Sequence, residues 1–458
     1  MTVNAKLSIV SADGHSVMPT ELWSEYLEPE FHEHLPQMEA DQAINARAMI
    51  PLNDSMMVPA LEVFDTDAAY RDGGWNGAWD RDIRLAQMDR EGIAAEFVHH
   101  GFFRVNDLAF SVMNDTFPAA MVDAGSRAHD RWAYDTFGGD ERLLLVGSIG
   151  SCLDRDALLT QLRWVADHGF IGTYAPGFLS MPGQPPLDDE YWDPVWATYA
   201  ELGLKVIVHA GWGMAQGYAF GEIAKACEVV DAKNGTDMDL IMELVSGLFS
   251  SQFFADLGHR RALWQLMLGG VFDRHPDLKV MFTEVRADWI PATLELLDQA
   301  FETHRADLPS TQRPSDLWDA HCLAGVSFLH KVEIERRAEI GVDRMSFGRD
   351  YPHAEGTWPN TLDYLRDLFA GVSESDTRKI LGENLIGFLG LDAARMAAIA
   401  ERVGPTVDEV TGGGAVDPAL IEHLGTRCGY DKPFEGDSRI DELAPMLDED
   451  LARLAGTR

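Results

Sequence analysis

Asp13 and His15 stand one residue apart at the end of the apolar run SIVSADGH. A strand turns alternate side chains to the same side, so both can reach one ion, and Gly14 between them leaves room for it. Five further segments end in the same way, an apolar run followed by a histidine or a carboxylate. They are AEFVHH (His99, His100), LKVIVHAGWG (His209), LKVMFTEV (Glu284), VSFLH (His330) and MSFGRDYPH (Asp350, His353). One histidine after one strand is often only a satisfied polar cap. Six such ends in one chain argue instead for a shared site.

The donors are imidazole and carboxylate. The four cysteines, Cys152, Cys227, Cys322 and Cys428, are scattered and form no CxxC pair, which argues against a thiolate site and for a reduced compartment. A thiolate-free set suits zinc, manganese or non-haem iron. In the doublet, successive strand residues face opposite sides, so only one histidine should enter the site. His100, nearer the strand end, is the one expected there, unless both histidines hold the Phe102-Phe103 loop. Arg286 and Arg349 lie just past two ligand-bearing runs and could grip a substrate carboxylate in a bidentate fork, or pair with neighbouring acids.

These groups need a frame whose strand ends converge. Eight runs read as buried parallel strands, the six above together with RLLLVGSIGS and FIGTYAPG, each followed by helical sequence. DRDIRLAQMDREGI, stopping at Gly92, is one such amphipathic helix. Eight βα units predict a (β/α)8 TIM barrel with its site at the C-terminal strand ends. An open doubly wound sheet would bring a glycine-rich phosphate loop after the first strand, and none is present; GGGAVDP near Gly412 lies in the tail and reads as a linker.

Two inserts break the rhythm, from about Ser16 to Trp79 and from Trp212 to about Gly270. Inserts after barrel strands sit on the catalytic face, so they should wall a substrate cavity, with Trp212 among its lining residues. The second is apolar from Leu240 to Phe254, which favours a bulky hydrophobic substrate or else a packed helix. Residues 1–391 are read as the barrel and 392–458 as an acidic C-terminal extension, an arm packed on the barrel or on a second subunit of a homo-oligomer, a dimer.

The 458 residues are 46% hydrophobic and can bury a large core. A formal net charge of −38 repels phosphate backbones and anionic membranes, so nucleic acid is an unexpected partner. The first residues enter a strand with no basic and apolar leader, and no apolar run reaches the roughly 20 residues of a membrane span. The expectation is a cytoplasmic protein.

SADGH, VIVHAG, HPDLKVMFTEVRADWIP and FGRDYPHAEGTWPNT together resemble the amidohydrolase-related family, the metal-dependent barrels that include the aminocarboxymuconate semialdehyde decarboxylase type. The resemblance runs from about Leu7 to Leu391. It implies a (β/α)8 barrel with Asp13, His15, His209 and Asp350 as metal ligands. Glu284 occupies the sixth-strand place where many members carry a histidine, so the decarboxylase proton relay does not transfer directly, although a glutamate can serve as general base.

Four ligands suffice for one ion; Glu284 with His100 or His330 would make enough for two ions sharing a carboxylate. Two reaction classes follow. In one, zinc or manganese activates water for hydrolysis or supports decarboxylation, with Glu284, Asp350, His353 or His330 handling the proton. In the other, two irons and dioxygen hydroxylate a bulky, terpenoid-like substrate, with or without a carboxylate. The chain is also similar to the amidohydrolase-fold non-haem diiron monooxygenase type of platensimycin and platencin diterpenoid biosynthesis. The surplus histidines and the phenylalanine-rich insert tilt the expectation towards the diiron monooxygenase.

Overall fold

The computed structural model describes residues 6–101, 117–177, 179–180, 182–215, 227–228, 257–327, 329–427 and 439–456. Eight parallel strands build the barrel: β1 (Ile9–Ser11), β2 (Ile93–His100), β3 (Leu143–Gly147), β4 (Gly172–Tyr174), β5 (Lys205–His209), β6 (Val280–Val285), β7 (Cys322–Ser327) and β8 (Met345–Gly348). They pair in chain order from β1 to β8. β8 returns to the strand-end loop of β1 through the bonds Ala12 N to Phe347 O (2.8 Å) and His15 N to Tyr351 O (2.5 Å). All eight are the runs expected from the sequence.

Each strand is buried on both faces, which is why it reads as a continuous apolar run. Val10, Ala12, Phe97, Val146, Ile207 and Met281 meet in one cluster, the inner layer of the barrel. Leu385, Ile386, Met396 and Ile399 belong to the same cluster. The helix Ala393–Val403 therefore continues the barrel's packing past Leu391. The outward faces pack under helices such as Arg81–Arg90, Arg155–Asp167 and Ile290–His304. Asp80 and Asp154 cap the first two by accepting backbone N–H bonds, a direct reading of their place before the apolar period.

The first insert is more ordered than its polar sequence suggested. It contains the 23-residue helix Leu35–Met57. The buried stripe of that helix is Met38, Asp41, Asn45, Met49, Asn53 and Met57, so polar residues share the covered face and blur the helical period. The second insert ends in the helix Leu257–Leu268, whose residues from His259 to Leu268 are buried apart from Arg261. Its apolar stretch from Leu240 to Phe254, the Phe102-Phe103 loop and Cys428 lie outside the described residues. Among the described residues no helix is long and apolar enough to cross a membrane.

Candidate metal centre

At the C-terminal end of the barrel, ligand atoms of Asp13, His15, His209 and Glu284 all lie within 4.8 Å of one another. Two further groups share members with this one: His15, Asp350 and His353; and Glu284, Asp350 and Glu355. Local geometry aims each donor. His15 turns Nδ1 towards the His100 carbonyl at 3.0 Å, which leaves Nε2 at 3.2 Å from both Asp13 Oδ1 and Asp350 Oδ1. His209 turns Nδ1 towards the Ala210 carbonyl at 3.3 Å and brings Nε2 to 3.2 Å from Glu284 Oε2 and 3.7 Å from Asp13 Oδ1. Pinning one ring nitrogen fixes the other as an available ligand. Ser327, the last residue of β7, donates to Asp13 Oδ2, so Oδ1 is the oxygen presented to the site.

Glu284 reaches the cavity through a break in register. Thr283 is opposite Gly325 and Val285 is opposite Val326, so Glu284 is the extra residue of a bulge, and its φ is +53°. Strand alternation would send Glu284 to the same face as Phe282, away from the inward Met281. The bulge re-aims it. Asp350, two residues past β8, also has φ +53°. Such backbone is costly for a side chain with a Cβ and persists where the surroundings over-determine it. Gly356 closes this loop, because a Cβ there would lie 2.5 Å from the Asp350 carbonyl and 2.6 Å from that of Arg349.

Four buried carboxylates thus converge, and among the described residues their ion pairs are all with histidines. Burial would raise Asp13, yet the hydrogen bonds and charges of His15 and His209 hold it well below the ordinary carboxylate range. Burial and the Asp13 charge push Asp350 up to about 7. Burial with the Asp350 and Asp13 charges raises Glu284 well above its usual range, and burial chiefly raises Glu355. His15 is held well above its usual value by Asp13 and Asp350 against the opposing effect of burial. Burial lowers His99, His209 and His353, the last to about 3. Asp13 Oδ1 and Asp350 Oδ1 face only histidine nitrogens, and Asp350 Oδ2 and both Glu355 oxygens are buried without a hydrogen bond among the described residues. Convergent anionic and imidazole donors fit a divalent cation, which would reverse the upward shifts of Asp350, Glu284 and Glu355.

Other expected site residues are placed differently. His100 does not enter any of the three groups. Its ring stands edge-on to Tyr174 at 4.6 Å, whereas His99 points inward, with Nε2 4.0 Å from Asp13 Oδ1 and its ring 4.9 Å from His209. His99 shares the parity of the inward Phe97, and a strand buried on both faces gives no polar alternation from which to read that parity. Arg349, expected near a substrate carboxylate, is fully buried. It pairs with Glu91 at 2.8 Å and with Glu96, and Arg84 joins Glu96 at 2.8 Å. Arg286 donates through Nε to Asp288 at 3.2 Å. Trp212 bonds the Pro176 carbonyl at 3.1 Å and packs on Gly177. His330 starts the helix Lys331–Glu335, its N–H donating to Glu333 at 2.9 Å, outside the three groups. His353 stacks on His15 with centroids 4.1 Å apart, and its Nδ1 lies 2.9 Å from Asp350 Oδ1. Glu355 was not foreseen, although its H-x-E spacing from His353 repeats the D-x-H spacing of Asp13 and His15.

Residues 30–391 match the amidohydrolase family described as Amidohydro_2. The chain belongs to the amidohydrolase family. Among solved structures it is similar to an amidohydrolase from Mycobacterium avium subsp. paratuberculosis K-10, at 20% identity and TM-score 0.58, covering 85% of this chain and 100% of that one. It is also similar to a dihydroxybenzoic acid decarboxylase from Polaromonas sp. JS666 with bound manganese and 2-nitroresorcinol, at 17% identity and TM-score 0.53, covering 86% and 99%. A 2,6-dihydroxybenzoate decarboxylase from Rhizobium matches at 20% identity and TM-score 0.51, covering 84% and 99%. At these identities the likeness is one of fold. No curated protein matches the chain. These neighbours sit closer to the decarboxylase and hydrolase expectation than to the diiron monooxygenase.

Proposed function

We propose that this family member is a divalent-metal-dependent enzyme that decarboxylates a small carboxylate substrate, hydrolysis being the other reaction open to the same centre. The observation that carries the metal is the uncompensated set of buried carboxylates meeting His15 and His209. Asp13, His15, His209 and Asp350 would hold the ion, with Glu284 beside them. Bound there, the ion supplies Lewis acidity, polarising a substrate oxygen or lowering the pKa of water. The choice of decarboxylation draws on the activities of the structural neighbours and on Glu284. In the metal-free site burial and the Asp350 and Asp13 charges raise its carboxyl, which favours a proton on one of its oxygens. When a carbon–carboxylate bond breaks, its electron pair stays on carbon, and a proton held at Glu284 is placed to fill it.

The test is turnover of metal-free protein reloaded anaerobically with manganese or zinc against a panel of hydroxybenzoate-type acids. Carbon dioxide release without oxygen is the expected result. A second reading, two irons acting on dioxygen and a bulky hydrophobic substrate, is favoured by the surplus donors His353 and Glu355. Turnover that requires ferrous iron, reductant and oxygen, with zinc inhibiting, would replace the first reading by the second.

A further inference from the structure

The loop that follows β8 carries three of the converging donors, Asp350, His353 and Glu355, and part of what holds it comes from outside residues 30–391. Arg427, the last residue of the helix Pro418–Arg427, is 2% exposed. Its Nη1 donates to the carbonyls of Ala354 at 2.5 Å and Gly356 at 2.9 Å, and its Nη2 donates to that of Trp358 at 3.0 Å. The first two carbonyls flank Glu355. The same guanidinium stands over the Phe64 ring at 5.5 Å, and His423, one turn earlier, stacks on Phe64 at 5.1 Å. Thus the first insert and the C-terminal extension together seat one planar fork against the loop. Arg90 takes the next carbonyl, that of Pro359, at 2.9 Å.

We infer that Arg427 is a positioning residue of the metal centre: by binding the carbonyls on both sides of Glu355 it fixes the loop so that Glu355 and His353 face the other donors. A guanidinium can serve several carbonyls from one rigid plane, which an ammonium cannot. The loop includes Asp350 at φ +53°, a conformation that needs external constraint. The extension is then part of the site, and the inference rests on the metal-dependent reading.

The experiment uses the full chain, stripped of metal and titrated with cobalt(II). Bound metal is counted and the visible d–d spectrum followed, alongside thermal unfolding. Arg427→Ala is expected to weaken cobalt binding by about 10- to 100-fold, the usual loss when a group that orients ligands is removed, and to alter the spectrum. Arg427→Lys should fall between it and wild type. Asp450→Ala removes the buried partner of Arg261 and Trp264 that anchors a later helix of the extension, Ile440–Gly456. It should lower the unfolding temperature and leave cobalt binding unchanged. If Arg427→Ala binds cobalt as wild type does, or if Asp450→Ala loses as much, Arg427 has no positioning role. Should Arg427→Ala not fold, wild-type affinity and spectrum in Arg427→Lys overturn the inference just as well. His15→Ala separates the two hypotheses, since undiminished cobalt binding in that variant rejects the metal centre itself, whatever Arg427 does.

Discussion

Two clusters of buried carboxylates lie against each other where the barrel closes, and they differ in what neutralises them. In one, Glu91 and Glu96 meet Arg84 and Arg349, two anions with two cations. Glu91 also accepts from the Thr361 N–H at 2.8 Å and its hydroxyl at 2.7 Å. In the other, the ion pairs of Asp13, Glu284, Asp350 and Glu355 among the described residues are all with histidines. The two touch at Gly14: a Cβ there would lie 2.8 Å from both Arg84 Nη2 and Glu96 Cδ, and Arg84 holds the His15 carbonyl at 2.6 Å. Burial of a carboxylate is therefore no sign of function until its partners are counted. The compensated cluster reads as scaffold, and the other has the donor set that fits a cation.

The largest effects should come from the open cluster. His15→Ala or His209→Ala is expected to abolish bound metal and turnover together, read by elemental analysis and rate. Glu284→Gln should keep metal but slow turnover by about 10² to 10⁴, the range for a lost proton-transfer group. Should metal fall from two equivalents towards one in that variant, Glu284 bridges ions. Unchanged metal and rate would place it outside the site.

In the closed cluster the expected loss is of stability instead. Glu96→Gln leaves two buried arginines facing one carboxylate, which should cost about 3–5 kcal/mol in denaturant unfolding of the metal-loaded protein. Metal stoichiometry of the folded fraction should stay at the wild-type value. An unfolding free energy within experimental error of wild type would show that the quartet is not the scaffold described here.

Much of this was legible in the sequence because a parallel barrel writes its strands as apolar runs and places its ligands just past them. All eight runs, and Asp13, His15, His209, Glu284 and Asp350, were readable on that ground. What was lost depends on the face each side chain takes. His99 and His100 could not be told apart because both faces of β2 are buried. Glu284 reaches the centre only through a bulge that its sequence does not announce. Arg349 sits one residue before Asp350, yet its charge is consumed by Glu91 and Glu96, which are distant in the chain.

The two clusters should also respond differently to pH in the metal-free protein. Near pH 6.5 the unfolded-state histidines are still about half protonated, so the lowered His99, His209 and His353 add an opposing rise in stability that fades only above about pH 7.5. Asp350, at about 7, and the raised Glu284 and His15 still bind protons in the folded state that the unfolded chain has largely released. Stability should then fall as pH rises from about 7.5 to 8.5, by at most about 1.4 kcal/mol per unit per proton. Asp350→Asn should flatten the slope, and saturating manganese should remove it. A flat profile in the stripped wild type would mean that the open cluster carries less uncompensated charge than its geometry implies.

The smallest effect draws the sharpest line between the clusters, because it has opposite signs in them. Glu355→Gln removes one negative charge from a set that lacks cations. Its carboxyl is raised by burial first and by the Asp350 charge as well, against the opposing pull of His353. The amide is close to the same size and feels no such repulsion. Metal-free Glu355→Gln should therefore be more stable than metal-free wild type at pH 8 in denaturant unfolding. The same substitution should weaken manganese binding, so the variant gains less stability on loading than wild type does. Glu96→Gln, also a buried glutamate made neutral, must move stability the other way, with or without metal. If Glu355→Gln destabilised the metal-free protein as Glu96→Gln does, Glu355 would be a structural acid with a partner of its own, and the division into a paired and an unpaired cluster would fail at that residue.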